Sequence, residues 1–512
     1  MTLSSALAMA ALTTTSAPSV FDLREQDWRN GSIVYQVFVD RFHASTPPSS
    51  RTEAYPAPRI LKEWNDPVVP GQNNPQAGVW SHELQFWGGD LKGIEQKLEY
   101  IRSLGSGVLY LTPIFTGLTN HKYDGADYFS IAPEFGGEAA FASLMKAAQG
   151  KGMKLMLDGV FNHCGRVSPL FQAALKDEKH PKRDWFHIGP EFPNGYRGWV
   201  GVANLPAWNL ENSAVREYLW KGRNSVVQHW LKQGIDGWRL DVAFELGPDH
   251  LRELTASAHA AKRGSAVVGE ISGYPESWEE AVDGVFNFMA PNIIVEAVKG
   301  NITGNKASRL LERMTQDASL DHLLRSWTHL DNHDSARIAS ILPDPKDRAL
   351  AWAGLFTLPG SPVIYYGSEL GVPGAGDPAN RAPMPWDKVT DNNPDYAWVK
   401  KLTHFRTRHR ALRVGDFTPL ETDSLIAYSR TTDKVRDSVI VVINPTDKEV
   451  TETFTTRMGR ILSWGEFEDV LSGDKVRSMM GMFNTTLAPK SVRLYVPITD
   501  PARGALMYYR IP

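Results

Sequence analysis

Gly237-Trp-Arg-Leu-Asp-Val-Ala243 reads as a short buried strand with an acid at its C-terminal end, and two further stretches repeat that form. They are Val267-Val-Gly-Glu-Ile271 and His329-Leu-Asp-Asn-His-Asp334. The acids so placed are Asp241, Glu270 and Asp334. Any one of them alone is equally a loop residue or a helix cap. In a barrel of parallel strands, however, the strand C-termini converge on one face, and that face carries the active site. Three acids gathered there supply what glycosidic bond cleavage needs: a proton donor, a nucleophile or base, and charge stabilisation.

Working outward, eight strand candidates alternate with amphipathic stretches: Ile33–Val39, Val108–Leu111, Lys154–Val160, Gly237–Asp241, Ala266–Glu270, Gly284–Phe288, Thr328–Asp331 and Pro362–Tyr366. Leu91, Ile94, Leu98, Ile101 and Leu104 recur at helical spacing in the first intervening stretch. Val215–Leu231 reads as another helix, capped at Asn212 or Ser213. This alternation predicts an α/β fold, a (β/α)8 TIM barrel. A doubly wound sheet is disfavoured, because no glycine-rich phosphate loop follows the first strand.

Two stretches break the rhythm. Residues 43–80, rich in Pro, Ser and Asn, read as a long loop. Residues 164–210 carry five prolines and several aromatics, and read as a small insertion subdomain over the active face after strand 3. From about residue 413, short β-type runs such as Ser424–Tyr428, Ser438–Ile443 and Ser491–Pro497 have no helices between them. They predict a C-terminal antiparallel β-sandwich. The expected organisation is therefore an N-terminal tail (1–30), a barrel (31–163 and 211–412), the insertion (164–210) and the sandwich (413–512).

Length and composition fit this size of core: 512 residues, 42% hydrophobic and 22% charged. A net charge of −3 gives no basic field for nucleic acid or an anionic membrane, and no stretch approaches a membrane span. The single cysteine, Cys164, excludes an internal disulfide framework and fits the cytoplasm, with secretion or the periplasm as the alternative. Ala6–Leu12 is apolar but lacks the positive flank of a signal peptide, so it reads as a disordered tail or a signal remnant. Oligomeric state is not readable from the sequence.

On the fourth strand, Arg239 and Asp241 share a face, so the guanidinium is expected to hold Asp241 ionised as a nucleophile requires. Glu270 has no cation beside it in sequence and is expected to keep a proton for the leaving oxygen. Asp334 follows His333; together they can hold sugar hydroxyls and favour charge at the anomeric carbon. Spacing leaves open whether Asp241 or Asp334 is the nucleophile. Asp158, Asn162 and His163 end the third strand on the same face, while Asn120–Tyr128 follows the second and offers His121 and Tyr123. No His-Glu-x-x-His or Cys-x-x-Cys zinc pattern is present.

The segments Asp158–His163, Gly237–Asp241, Val267–Ile271 and Leu330–Asp334 together resemble the α-amylase family of glycoside hydrolases (family 13). Val34–Phe42, Phe86–Leu91, Leu111–Phe115, Asn120–Tyr128, Leu358–Glu369 and Gly376–Arg381 with Met384–Asp387 are most similar to its cyclomaltodextrinase, neopullulanase and maltogenic amylase group. The resemblance implies retaining cleavage of α-1,4-linked glucans in maltodextrins, cyclodextrins or related oligosaccharides, with some transglycosylation. It implies that Asp241 is the nucleophile, Glu270 the general acid/base and Asp334 the transition-state stabiliser. It places Tyr123, His121, His163, Arg239 and His333 at subsite −1, and Asp377 with Arg381 at subsite −2.

The chain also departs from the group. Only about 30 residues precede the first barrel strand, whereas members often carry an N-terminal β domain. Phe244-Glu245 stands where the group has Asn-Glu, and Ile271-Ser-Gly-Tyr274 lacks an expected Trp. Both changes fall at the acceptor side, so product preference stays open. No cofactor is required. Calcium is possible, with Asn162 the one candidate ligand, although Arg41–Pro47 offers few hard oxygens. The alternatives are a glucosyl transferase or isomerase of the same family and, more remotely, a non-catalytic transporter-associated barrel.

Overall fold

The computed structural model describes residues 17–459, 461 and 465–498. Eight parallel strands close a barrel: β1 (Val34–Val37), β2 (Val108–Leu111), β3 (Lys154–Gly159), β4 (Gly237–Leu240), β5 (Ala266–Gly269), β6 (Gly284–Asn287), β7 (Trp327–His329) and β8 (Ser361–Tyr365). Each strand pairs with its neighbours in sequence, and β8 returns to β1 with Val34 opposite Val363. Every one overlaps an expected strand, with ends shifted by at most two residues.

The barrel's inner layers explain where the site sits. Val34, Val108, Met156, Ala266, Val268, Phe286, Trp327 and Val363 fill the lower interior as one apolar cluster. One step nearer the C-terminal face, the inward residues turn polar: Gln36, Asp158 and Arg239 are all buried there. Register places Arg239 directly opposite Asp158 on β3 and Val268 on β5. Side chains alternate along a strand, so Asp241 follows Arg239 on the inner side at the rim. The outward-facing residues, among them Tyr35, Leu109, Leu157, Trp238 and Val267, pack beneath the helical shell.

Two expected segments differ. The helix read over Val215–Leu231 is interrupted: Ser213–Arg216 is capped by Asn212, a π-type turn covers Glu217–Lys221, and a second helix, Val226–Gln233, starts afresh with Ser225 as its cap. The intervening Gly222-Arg-Asn-Ser225 gives poor helix propensity and a side-chain cap, which together favour a restart. The stretch read as a tail contains a helix, Val20–Gln26, with a Ser19/Asp22 capping box. It is tied down by tertiary ion pairs, Arg24 to Asp321 and Asp416, and Arg410 to Asp22 and Glu25. Ala6–Leu12 lies outside the described residues.

The insertion between β3 and β4 carries the helix Pro169–Lys176 and isolated bridges such as Phe186–Trp208 and His163–Ala207. Beyond the barrel come β9 (Asp416–Leu420), β10 (Ile426–Thr431), β11 (Val439–Asn444), β12 (Val450–Thr455), β13 (Glu466–Asp469), β14 (Lys475–Arg477), β15 (Met482–Leu487) and β16 (Ser491–Pro497). Six of them form a sheet in the order β9-β10-β11-β16-β13-β14, faced by the β12-β15 pair across a separate apolar core that includes Leu420, Phe454, Phe467 and Phe483. The opposite face of β10 and β11, through Tyr428, Val439 and Val441, joins the barrel's own core. Among the described residues no helix is long and apolar enough to cross a membrane.

Candidate active site

At the C-terminal face of the barrel lies a cleft of about 880 Å³ that exposes Asp241, Glu270 and Asp334 together. Its floor is organised by Arg239, which is fully buried and rests its guanidinium 5.5 Å from the Phe286 ring centre. Arg239 Nη1 donates to Asp158 Oδ1 (2.9 Å) and to Asp241 Oδ1 (2.9 Å). Nη2 stands 2.8 Å from Glu270 Oε2, as an ion pair off the N–H direction. One cation thus serves three carboxylates.

That sharing weakens the hold expected of Arg239 on Asp241. Burial pushes the Asp241 carboxyl well above the usual range; Arg239 opposes this, but Glu270, Asp158 and Asp334 add repulsion. Asp158 is likewise raised by burial against the pull of Arg239. Nor is Glu270 without a cation, as its sequence neighbours had suggested. Its Oε2 also accepts from the backbone N–H of Val242 at 2.9 Å, which leaves Oε1 as the oxygen free to carry or release a proton. Val242 adopts φ 39° and ψ 44°, a left-handed conformation rare for a β-branched residue. This strained turn aims its N–H at Glu270 and is the kind of cost held at functional sites.

Asp158 Oδ2 accepts from the hydroxyls of Tyr110 (2.6 Å) and Tyr123 (2.9 Å). Tyr123 in turn touches His333 Nε2. Gln36 Nε2 donates to His333 Nδ1 at 2.9 Å, so the ring proton belongs on Nε2, 3.0 Å from Asp334 Oδ2. Burial beside Arg239 and Arg381 holds His333 well below its usual range, hence neutral. Asp334 is half-exposed and also meets Arg381 Nη2 at 3.1 Å. Arg381 Nη1 lies 3.3 Å from Asp377. Burial alone would raise Asp377, but the His82 hydrogen bond and Arg381 outweigh it and set its carboxyl at about 2.

His121 and Tyr123 flank Lys122, whose φ of 62° turns both neighbours toward the cleft. The buried Lys122 amine is anchored on Gly117 O and Glu134. His121 Nδ1 accepts from Tyr123 N, directing Nε2 to Glu83 at 3.4 Å. His163 is buried with neither ring nitrogen bonded to a protein group, and its ring stacks on Trp199 at 5.5 Å. Burial lowers it to about 3, so it faces the cleft neutral, able to donate from one nitrogen and accept at the other.

Asn162 Nδ2 donates to Glu245 Oε2 at 3.2 Å. Among the described residues no group of three or more His, Cys, Asp or Glu side chains is placed to hold a metal. Asn162 and Glu245 alone fall short of the roughly six to eight oxygens that calcium takes.

Sequence reasoning missed several residues in the cleft wall and in the layer beneath it. Gln36 left a signal, as the one polar residue within Val34-Tyr-Gln-Val37. Tyr110, Trp80, Glu83 and Trp199 left none, because only the closure of the barrel and the path of the loops bring them to the acids.

A parallel eight-stranded barrel with acids and hydroxyl-binding groups clustered at its C-terminal face is a glycosidase architecture. Residues 36–414 match the family model for the alpha amylase catalytic domain, and the chain belongs to the α-amylase family of glycoside hydrolases. It is 32% identical to neopullulanase 2 of Thermoactinomyces vulgaris over 90% of this chain and 77% of that one. It is 33% identical to a cyclomaltodextrinase of Geobacillus thermopakistaniensis over 82% of this chain and 69% of the relative. Among solved structures, a cyclic α-maltosyl-(1→6)-maltose hydrolase from Arthrobacter globiformis, in complex with that sugar, aligns with a TM-score of 0.77. It shares 27% identity, and the match covers 92% of this chain and 99% of that one.

Proposed function

We propose that this protein is a retaining α-glucan hydrolase that cleaves α-1,4-glucosidic bonds in maltodextrins, cyclodextrins or related oligosaccharides by double displacement. The observation that carries the reading is the single guanidinium of Arg239 between Asp241 and Glu270, with ion-pair contacts of 2.9 and 2.8 Å. A bridge of that kind favours the carboxyl spacing of about 5–5.5 Å used by retaining enzymes over the wider gap that admits a water in inverting ones.

In this reading Glu270 Oε1 gives its proton to the leaving oxygen while Asp241 Oδ2, not engaged by Arg239, attacks the anomeric carbon. Asp334, held by His333 and Arg381, stabilises the positive charge that develops on the sugar ring. Glu270 then takes a proton from a water whose oxygen attacks the anomeric carbon and releases the Asp241 carboxylate; a sugar hydroxyl in place of the water gives transglycosylation. His121, Tyr123, His163 and His333 bind the sugar at the cleavage point, and Asp377 and Arg381 bind the next donor sugar. The fit of relatives named for cyclomaltodextrin and pullulan hydrolysis supports the substrate class.

The test is incubation with β-cyclodextrin, maltotriose, pullulan and soluble starch in parallel, with chromatographic resolution of products. New reducing ends from one or more of them are expected. New glycosides without reducing ends would move the protein to the transferases, and no reaction with any would overturn the reading.

A further inference from the structure

Asp334 differs from the other two acids in how it is held. Asp241 is buried, whereas the Asp334 side chain is 48% exposed, so packing alone does not fix it. Its place is set by the backbone turn that follows β7. Asn332 Oδ1 accepts from the N–H groups of Asp334 and Ser335, both at 2.9 Å, and Ser335 Oγ accepts from Asn332 N at 3.0 Å. These bonds shape the turn from within, as asparagine does in many turns. They use backbone donors and leave the carbonyls to be met from elsewhere.

The carbonyls of His333 and Ser335, one residue to either side of Asp334, are met by a single side chain from the segment after β8. Asn380 Nδ2 donates to His333 O at 2.8 Å and to Ser335 O at 2.9 Å. Both partners can only accept, which fixes the amide nitrogen on that side. Asn380 is fully buried, and its Oδ1 has no hydrogen-bond partner among the described residues. An interior amide with an idle acceptor contributes through its two donors; a leucine would fill the same space without the unpaired oxygen.

The Asn380 backbone is anchored before its side chain reaches across. Arg337 Nε donates to Asn380 O at 2.9 Å, Tyr365 donates its hydroxyl to the same oxygen at 3.3 Å, and Asn380 N donates to Gly376 O at 2.9 Å. Arg337 is itself buried and bonded to Tyr366 O and Ser368 Oγ. The next residue, Arg381, donates from Nε to His333 O at 2.8 Å and from Nη2 to Asp334 Oδ1 at 3.1 Å. Two adjacent side chains thus take separate parts: Arg381 holds the carboxylate, and Asn380 holds the peptide groups that carry it.

We propose that Asn380 is a positioning residue that clamps the turn around Asp334 and so sets that carboxylate against the charge developing on the sugar. With no exposed surface, Asn380 touches no substrate and acts only through Asp334. The inference rests on the proposed glucan hydrolysis, in which Asp334 stabilises the transition state.

The test is a double-mutant cycle on kcat and KM with α-maltosyl fluoride, whose fluoride leaves without a proton and keeps weakened variants measurable. Asn380→Leu keeps the volume and removes both donors. It is expected to lower kcat by about 100-fold, the size of an ångström-scale misplacement, with KM changed by less than about twofold. In an Asp334→Asn background, where the carboxylate is gone, the same substitution should cost less than about twofold more. Asn380→Ala, whose cavity admits a water to the two carbonyls, takes the place of leucine if that variant does not fold, and should show the same split between kcat and KM. An equal loss of kcat in both backgrounds, a rise in KM with kcat unchanged, or wild-type kcat in the Asn380 variants would overturn the clamp while leaving hydrolysis standing. No turnover by the wild-type protein would overturn the clamp together with the reading beneath it.

Discussion

The rings of Tyr123 and His333 lie parallel, with centroids 5.1 Å apart and 3° between their planes. Tyr123 also donates its hydroxyl to Asp158, so one side chain braces both a neutral imidazole and a buried carboxylate. Tyr123→Phe keeps the ring contact and removes the hydroxyl. It should lower kcat by about tenfold to a hundredfold, with KM little changed. Steady-state kinetics on maltotriose checks this, and an unchanged kcat would show that the hydroxyl is incidental.

Arg239→Lys is expected to be severe. A lysine has no fork, so it cannot serve Asp158, Asp241 and Glu270 together, and a buried carboxylate loses its partner. Leaving such a group unpaired costs about 3–5 kcal/mol. Denaturant unfolding should show a loss on that scale, accompanied by loss of turnover. A variant with wild-type stability would mean that the three acids do not depend on the shared cation.

Asp241→Asn should cut turnover by about 10⁴-fold or more, as removal of a nucleophile does. The fold should survive. Burial raises the folded carboxyl well above its ordinary value, so at neutral pH ionising it works against folding. A neutral amide escapes that cost, and thermal unfolding at pH 7 should show equal or greater stability. A clear drop in melting temperature would contradict the upward shift.

The same shift sets the acid side of the pH–rate profile. Asp241 must be ionised to attack, and its carboxyl is held above the ordinary 3.8. The acid limb of kcat/KM, which reports the free enzyme, should therefore lie above the ordinary aspartate range and move with Asp158 substitutions. An acid limb at or below that range would remove the argument.

His163 gives a stability prediction of opposite sign. Its folded form takes up a proton only at about 3, whereas an ordinary histidine does so at 6.5. Between these values the unfolded chain binds more protons, so stability is full above pH 6.5 and is lost as pH falls through that window. His163→Asn should flatten this acid loss, as measured by urea midpoints across the range. Parallel pH dependences for wild type and variant would contradict it.

The barrel was legible because each strand is a short apolar run that ends in polar residues, and burial on both faces dictates that composition. The acids were legible for the same reason: Asp241 and Glu270 follow strand ends that can lie nowhere but the rim. What stayed hidden depended on closure. Arg239 is two residues from Asp241 in sequence, yet its contacts with Asp158 and Glu270 come from strands on either side, and burial with those neighbouring acids works against the ionisation expected of Asp241 from Arg239 alone. The helix Val20–Gln26 escaped notice because it is short and is held by ion pairs to residues some 300 to 400 positions away. Trp80 and Trp199 sit on loops whose paths no periodicity records.

Proton NMR of maltotriose hydrolysis at early times tests the central claim most directly, since it reads both cleavage and the configuration of the new reducing end. The account predicts that the α-anomer appears first and relaxes to the equilibrium mixture. First appearance of the β-anomer, or no new reducing end at all, would contradict it.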